Sequence, residues 1–160
     1  MTVGVRPAVL ADLPLIAALI RELAEYEDLS PAVHFDEDML GTYLFGENPA
    51  AEVLIAEHDG KAAAFALFFR NFSTFAGTPG LYLEDLFVRP EARGYGLGRA
   101  LLAELARLAL RRDCARLEWA VLDWNEPSIA FYETIGAHMR GDWRLMRLEG
   151  DSLIRLGAQK

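Results

Sequence analysis

Only one cysteine, Cys114, occurs among the 160 residues. That excludes an intrachain disulfide framework and any zinc cage built from several thiolates. Apolar runs are short, and none approaches the ~18 residues of a membrane-spanning helix. The opening Thr2-Val3-Gly4-Val5-Arg6 stretch lacks the apolar core of a secretory leader. A cytoplasmic protein with no membrane partner is expected. His34, His58 and His138 are scattered without ligand spacing, so no metal is expected. Repeats and low-complexity linkers are missing as well, which at this length predicts a single domain over residues 1–160. Positive charge is in deficit: Lys plus Arg number 16 against 24 Asp plus Glu, a net charge of -8. Nucleic acid is therefore an unfavourable partner, because its binders need a basic footprint. The same field attracts cations, although solubility alone also accounts for an acidic surface.

What is present is enough apolar material for a core, with 52% hydrophobic and 11% aromatic residues. Residues 3–6 read as a strand ended by Pro7. Over residues 10–25 the apolar positions Leu13, Ile16, Ala17, Leu19, Ile20, Leu23 and Ala24 follow a helical stripe, with Pro14 in the first turn. A shorter helix follows Asp36 and runs to Leu44. Residues 53–58 and 62–69 form strands around the Asp59-Gly60 hairpin turn. Residues 80–88 are a third strand in this run, 99–112 a helix, 116–122 a strand and 125–135 a helix ended by Gly136. Residues 143–148 and 153–156 are expected as a final hairpin around Gly150-Asp151. The order predicts an α/β fold with a mixed central sheet of six to seven strands flanked by four helices.

The most specific local feature is Arg93-Gly94-Tyr95-Gly96-Leu97-Gly98, between a strand and a helix. Glycines allow positive φ and close approach of a ligand, and a helix start offers unpaired N–H groups and the positive end of the dipole. Together they suit a diphosphate, with Arg93 and Arg99 as additional cationic donors. The run lacks the Gly-Lys-Ser/Thr ending of a nucleoside-triphosphate loop and misses the G-x-G-x-x-G spacing by one residue, but it fits R-x-x-G-x-G. A glycine-rich structural turn is the plainer alternative.

The segment from Val88 to Gly98 resembles the coenzyme A signature of the GNAT superfamily of N-acetyltransferases. Tyr82-Leu83-Glu84-Asp85-Leu86-Phe87-Val88, Trp124-Asn125-Glu126-Pro127-Ser128-Ile129-Ala130-Phe131-Tyr132, Glu22-Leu23-Ala24-Glu25-Tyr26-Glu27 and Trp143-Arg144-Leu145 resemble its diamine (spermidine/spermine or thialysine) acetyltransferase family. The resemblance implies acetyl-CoA as cosubstrate, held in a splay between the strand ending at Val88 and the next parallel strand. The backbone of Leu86, Phe87 and Val88 would meet the pantetheine arm, and the amides of Gly94, Tyr95, Gly96, Leu97, Gly98 and Arg99 the phosphates. Asn125 and Ser128 match positions that contact the coenzyme; Asn125 also suits a helix N-cap.

Tyr132 matches the family's general acid. Read without the resemblance, it is a packing aromatic beside Phe131. Glu84 matches the group that takes the amine proton, directly or through water, and Asp85 is a second acidic contact or an anchor. On a regular strand these two neighbours face opposite sides, although a bulge alters this. Tyr26, Glu27, Glu118 and Trp119 match positions that contact the substrate, and an aromatic there attracts a cation. Cys114 reads as structural, so direct transfer in a ternary complex is preferred to an acyl-enzyme route.

Two departures bear on the acceptor. The hairpin at Asp59-Gly60-Lys61 is minimal, and Gly141, followed by Asp142, stands where polyamine-acetylating members carry an acid. A shorter amine or an amino acid with an aminoethyl side chain is equally compatible. The implied product is an acetylated small cationic amine, made by a homodimer formed through the last strands. A protein or peptide acetyltransferase and a non-catalytic acyl-CoA sensor are the competing readings.

Overall fold

The computed structural model describes residues 2–159. The chain forms two compact units, the first ending at Ala120 and the second starting at Val121. The first holds a five-stranded mixed sheet in the order β1-β2-β3-β4-β5. Its strands are β1 (Val3–Pro7), β2 (Glu52–His58), β3 (Lys61–Ser73), β4 (Thr78–Val88) and β5 (Leu117–Trp119). The first four pair antiparallel, and β5 lies parallel to β4. Its helices are α1 (Leu13–Tyr26), α2 (Glu37–Phe45) and α3 (Leu97–Arg111).

Local chemistry accounts for these elements. Pro14 sits in the first turn of α1, where a missing N–H costs nothing. Asp36 caps α2 by accepting the Met39 N–H at 2.7 Å. Asp59 and Gly60 have φ of 48° and 77°, the two left-handed residues that a tight hairpin turn requires.

The sheet is covered on both faces. On one, Val53, Ile55, Phe65 and Phe87 pack with Ile16, Leu19 and Leu23 of α1 and Leu44 of α2. On the other, Leu81 and Leu83 are fully buried, as are Leu97, Leu101 and Leu105 of α3, which lies across the sheet. The faces change over within β4. Leu67 pairs with Asp85 but Phe68 pairs with Leu83, so Glu84 is an extra residue in a β-bulge. Upstream of it Leu81 and Leu83 face α3; downstream of it Asp85 and Phe87 face α1. Pairing with β5 ends at Leu83↔Trp119, while β4 runs on to Val88. β5 is thus shorter than the 116–122 strand expected, because it parts from β4 where the bulge bends it.

The second unit contains α4 (Glu126–Thr134) and α5 (Gly150–Gly157). Here the expected final hairpin is not found. Residues 143–149 take no regular structure and residues 150–157 are helical. The helix follows from Asp151 in its first turn, Arg155 in its last, and Leu153, Ile154 and Leu156 at helical spacing. Among the described residues there are therefore five strands, not six to seven, and five α-helices, not four.

Phe65 is wholly buried between β3 and α1. Phe65→Ala is expected to lower stability by about 3–5 kcal/mol, read as a fall in the urea midpoint at unchanged slope.

Candidate active site

The bulge gathers acids on the α1 side of the sheet. Asp85 shares that face with Phe87 and Tyr82, and Glu84 is exposed at the bulge between them. Glu118 pairs with Tyr82 and so lies on the same face, while Trp119 pairs with Leu83 and lies on the opposite one. Glu27 comes from the end of α1. Burial pushes the Asp85 carboxyl from its ordinary 3.8 up to about 7, helped by the negative charges of Glu84 and Glu27. Burial also raises Glu27. Tyr82 is raised by burial and by the charges of Glu84 and Glu118. Glu118 in turn is ion-paired with Arg116 at 2.8 Å. Around Glu27, Glu84 and Asp85 the electrostatic neighbours are thus mainly carboxylates, a setting that a protonated amine would relieve.

The glycine loop lies at the end of the same strand. Gly94 and Gly96 both have φ of 85°, and a Cβ on either would meet nothing within 4 Å, so their backbones are open to an approaching ligand. Gly96 is the N-cap of α3, and the first helical bond is donated by Ala100 N–H to Gly96 O at 2.9 Å. The amides of Leu97, Gly98 and Arg99 precede it and have no carbonyl one turn back to bond. Leu97, 1% exposed, anchors the helix start in the core. The geometry fits a diphosphate.

Arg93, expected as a cationic donor, is exposed beside the loop. Its Nε donates to Val88 O at 3.1 Å, and its guanidinium lies 4.8 Å from the centre of the Tyr26 ring and 6.0 Å from that of Phe87. It braces the loop against α1 and β4. Arg99 is exposed in the first turn of α3. Arg89 makes a two-pronged ion pair with Glu22 at 2.9 and 2.7 Å, a second brace to α1 that sequence reasoning missed. Its only sequence signal is a pair of opposite charges 67 residues apart.

Asn125, Ser128 and Tyr132 belong to the second unit. Asn125 caps α4, accepting the Ser128 N–H at 3.4 Å. Tyr132 lies on α4 with its ring 5.6 Å from that of Phe131. Among the described residues no group of three His, Cys, Asp or Glu converges as a metal cage, and no helix is long and apolar enough to cross a membrane.

The raised Asp85 carboxyl has a measurable consequence. Between pH 3.8 and about 7 the folded state holds a proton that the unfolded chain has released, so this group costs stability as pH rises. Asp85→Asn removes that cost. The melting temperature of the variant is expected to rise above that of the parent by several degrees at pH 8 and by little at pH 4. Parallel melting curves across that range check it.

The acetyltransferase (GNAT) family model matches residues 17–137. A thialysine N-epsilon-acetyltransferase from Sus scrofa is 36% identical over 169 residues, covering 99% of each chain. An L-ornithine N5-acetyltransferase from Arabidopsis thaliana is 41% identical over 109 residues, 67% of this chain and 48% of its own. An integron cassette protein from the mobile metagenome of V. cholerae has the same fold, with a TM-score of 0.82 at 30% identity and 99% of each chain covered. With an open glycine loop at the start of α3, acids gathered at the bulge and these relatives, the chain belongs to the GNAT family of acetyltransferases, and its class of chemistry is N-acetyl transfer.

Proposed function

We propose that residues 1–160 act as one catalytic domain that transfers the acetyl group of acetyl-CoA to the primary amine of a small cationic acceptor: a diamine, a polyamine or a thialysine-like amino acid. The observation that carries this reading is the acidic cluster around the β4 bulge, where Asp85 is half-buried within the field of Glu84 and Glu27. Alkyl amines are cations at neutral pH, and a cation relieves the repulsion among those acids. The relatives named for thialysine and ornithine act, by those names, on amino acids with a basic side chain.

In this reading the amides of Leu97, Gly98 and Arg99 and the backbone at Gly94–Gly96 hold the diphosphate. The β4 edge from Leu86 to Val88, beyond the last β5 pair, receives the pantetheine arm. Glu84 takes the ammonium proton, directly or through water. The freed nitrogen attacks the thioester carbonyl, a C–N bond forms and the C–S bond breaks. The attacking nitrogen loses its second proton to solvent as the amide forms, and Tyr132 gives the departing sulfur its proton and recovers one from solvent. Glu27 and Tyr26 hold the far end of the acceptor, and Asp85 sits beside the reacting amine. The working unit is a cytoplasmic homodimer.

Two experiments test this. Free-thiol release from acetyl-CoA, measured over diamines, polyamines, lysine analogues and a folded protein substrate, is expected with the small amines. Release with the protein alone would overturn the acceptor class. Glu84→Gln and Tyr132→Phe are each expected to lower kcat by about 10²- to 10⁴-fold with coenzyme A binding retained. Turnover unchanged in both would remove the proposed proton route.

A further inference from the structure

His58 ends β2 beside the two-residue turn, and its ring stacks on Tyr95 of the glycine loop. The ring centres are 4.2 Å apart and the planes 16° from parallel. We infer that His58 is a positioning residue for the coenzyme: it holds Tyr95, and through it the loop, in the shape that receives the diphosphate. The inference rests on the assignment of this loop to acetyl-CoA and adds a residue from a different strand to it.

Three features point the same way. Tyr95 stands between Gly94 and Gly96, both in the left-handed region, and while Arg93 and Leu97 hold the two ends of the loop, the contact with His58 is what holds the Tyr95 ring at its tip. The His58 side is rigid. The strand end is paired with Val3 and Lys61, Thr2 N–H donates to Asp59 Oδ1 at 2.9 Å, and Asp59 N–H donates to Thr2 O at 3.0 Å. Finally, His58 Nε2 is buried and makes no hydrogen bond among the described residues. The nearest carboxylate oxygen, Asp59 Oδ2, is 3.8 Å away. What the imidazole contributes here is its flat face. A loop held in its bound shape before the ligand arrives loses less entropy on binding.

The test uses the full chain and coenzyme A itself. Calorimetric titration is expected to show His58→Ala binding coenzyme A about three- to ten-fold more weakly, the range that an aromatic pair supplies. His58→Phe, which keeps a flat ring, is expected to bind like the parent. In turnover, His58→Ala raises KM for acetyl-CoA and leaves kcat and the KM for the amine unchanged. With acetylpantetheine, a donor without the diphosphate, kcat/KM is unchanged. Tyr95→Ala, at an exposed loop tip that can be altered without unfolding the core, gives the same loss, and the double variant falls no further than either single one.

Undiminished coenzyme A binding by His58→Ala overturns the inference, as does an equal loss with acetylpantetheine or an additive loss in the double variant. A parent protein that does not bind coenzyme A at all overturns the functional reading and this inference with it.

Discussion

A single inserted residue governs how β4 meets the rest of the molecule. Alternation along a strand would send Asp85 and Phe87 to the side of Leu81 and Leu83, under α3. The bulge at Glu84 turns them over, so Phe87 completes the core beneath α1 while Asp85 stands at the edge of that core. Packing and chemistry are thereby tied together. The ring that fills the α1 face and the carboxyl that titrates near neutrality are two residues apart on one strand. The same distortion ends the β5 pairing and leaves the last five residues of β4 with one sheet neighbour, β3.

The acidity of this surface depends on where the arginines go. Arg6 is engaged by Asp12 and Glu57, Arg89 by Glu22, Arg112 by Glu52, and Arg107 and Arg111 by Glu104. Arg93, a turn further along the chain than Arg89, faces the Tyr26 and Phe87 rings and the Val88 carbonyl. Partly exposed pairs of this kind add little stability singly. Their larger effect is to hold cations away from Glu27, Glu84 and Asp85, so a negative potential remains where the site needs one.

Much of this was legible in the sequence because the signals were local. The α1 stripe, the Asp36 cap, the Asp59-Gly60 turn and the glycine loop each depend on residues within one or two turns of one another. The acids at 84 and 85 were legible as candidates, yet adjacency alone sends them to opposite faces. Their grouping depends on a register shift against β3, which a single strand does not encode. The end of the chain misled for a related reason. Apolar stretches on either side of Gly150-Asp151 suggest a hairpin, but helical spacing and end charges at 150–157 match a helix better. The Arg89–Glu22 and Arg93–Tyr26 contacts and the His58–Tyr95 stack join residues far apart in the chain, and spacing says nothing about such pairs.

The connections of the sheet carry an implication for how it assembles. β2, β3 and β4 follow one another through two short turns, so their pairing closes small loops at low entropic cost. β5 joins β4 only after the chain has crossed through α3, and does so over three residues. β5 is therefore a lightly held edge of the sheet, and the β4 edge that it lines runs on to residues 86–88, where in the proposed reading the pantetheine arm would lie. A ligand lying along that edge substitutes for missing strand partners, so the donor itself would help to keep the fold closed.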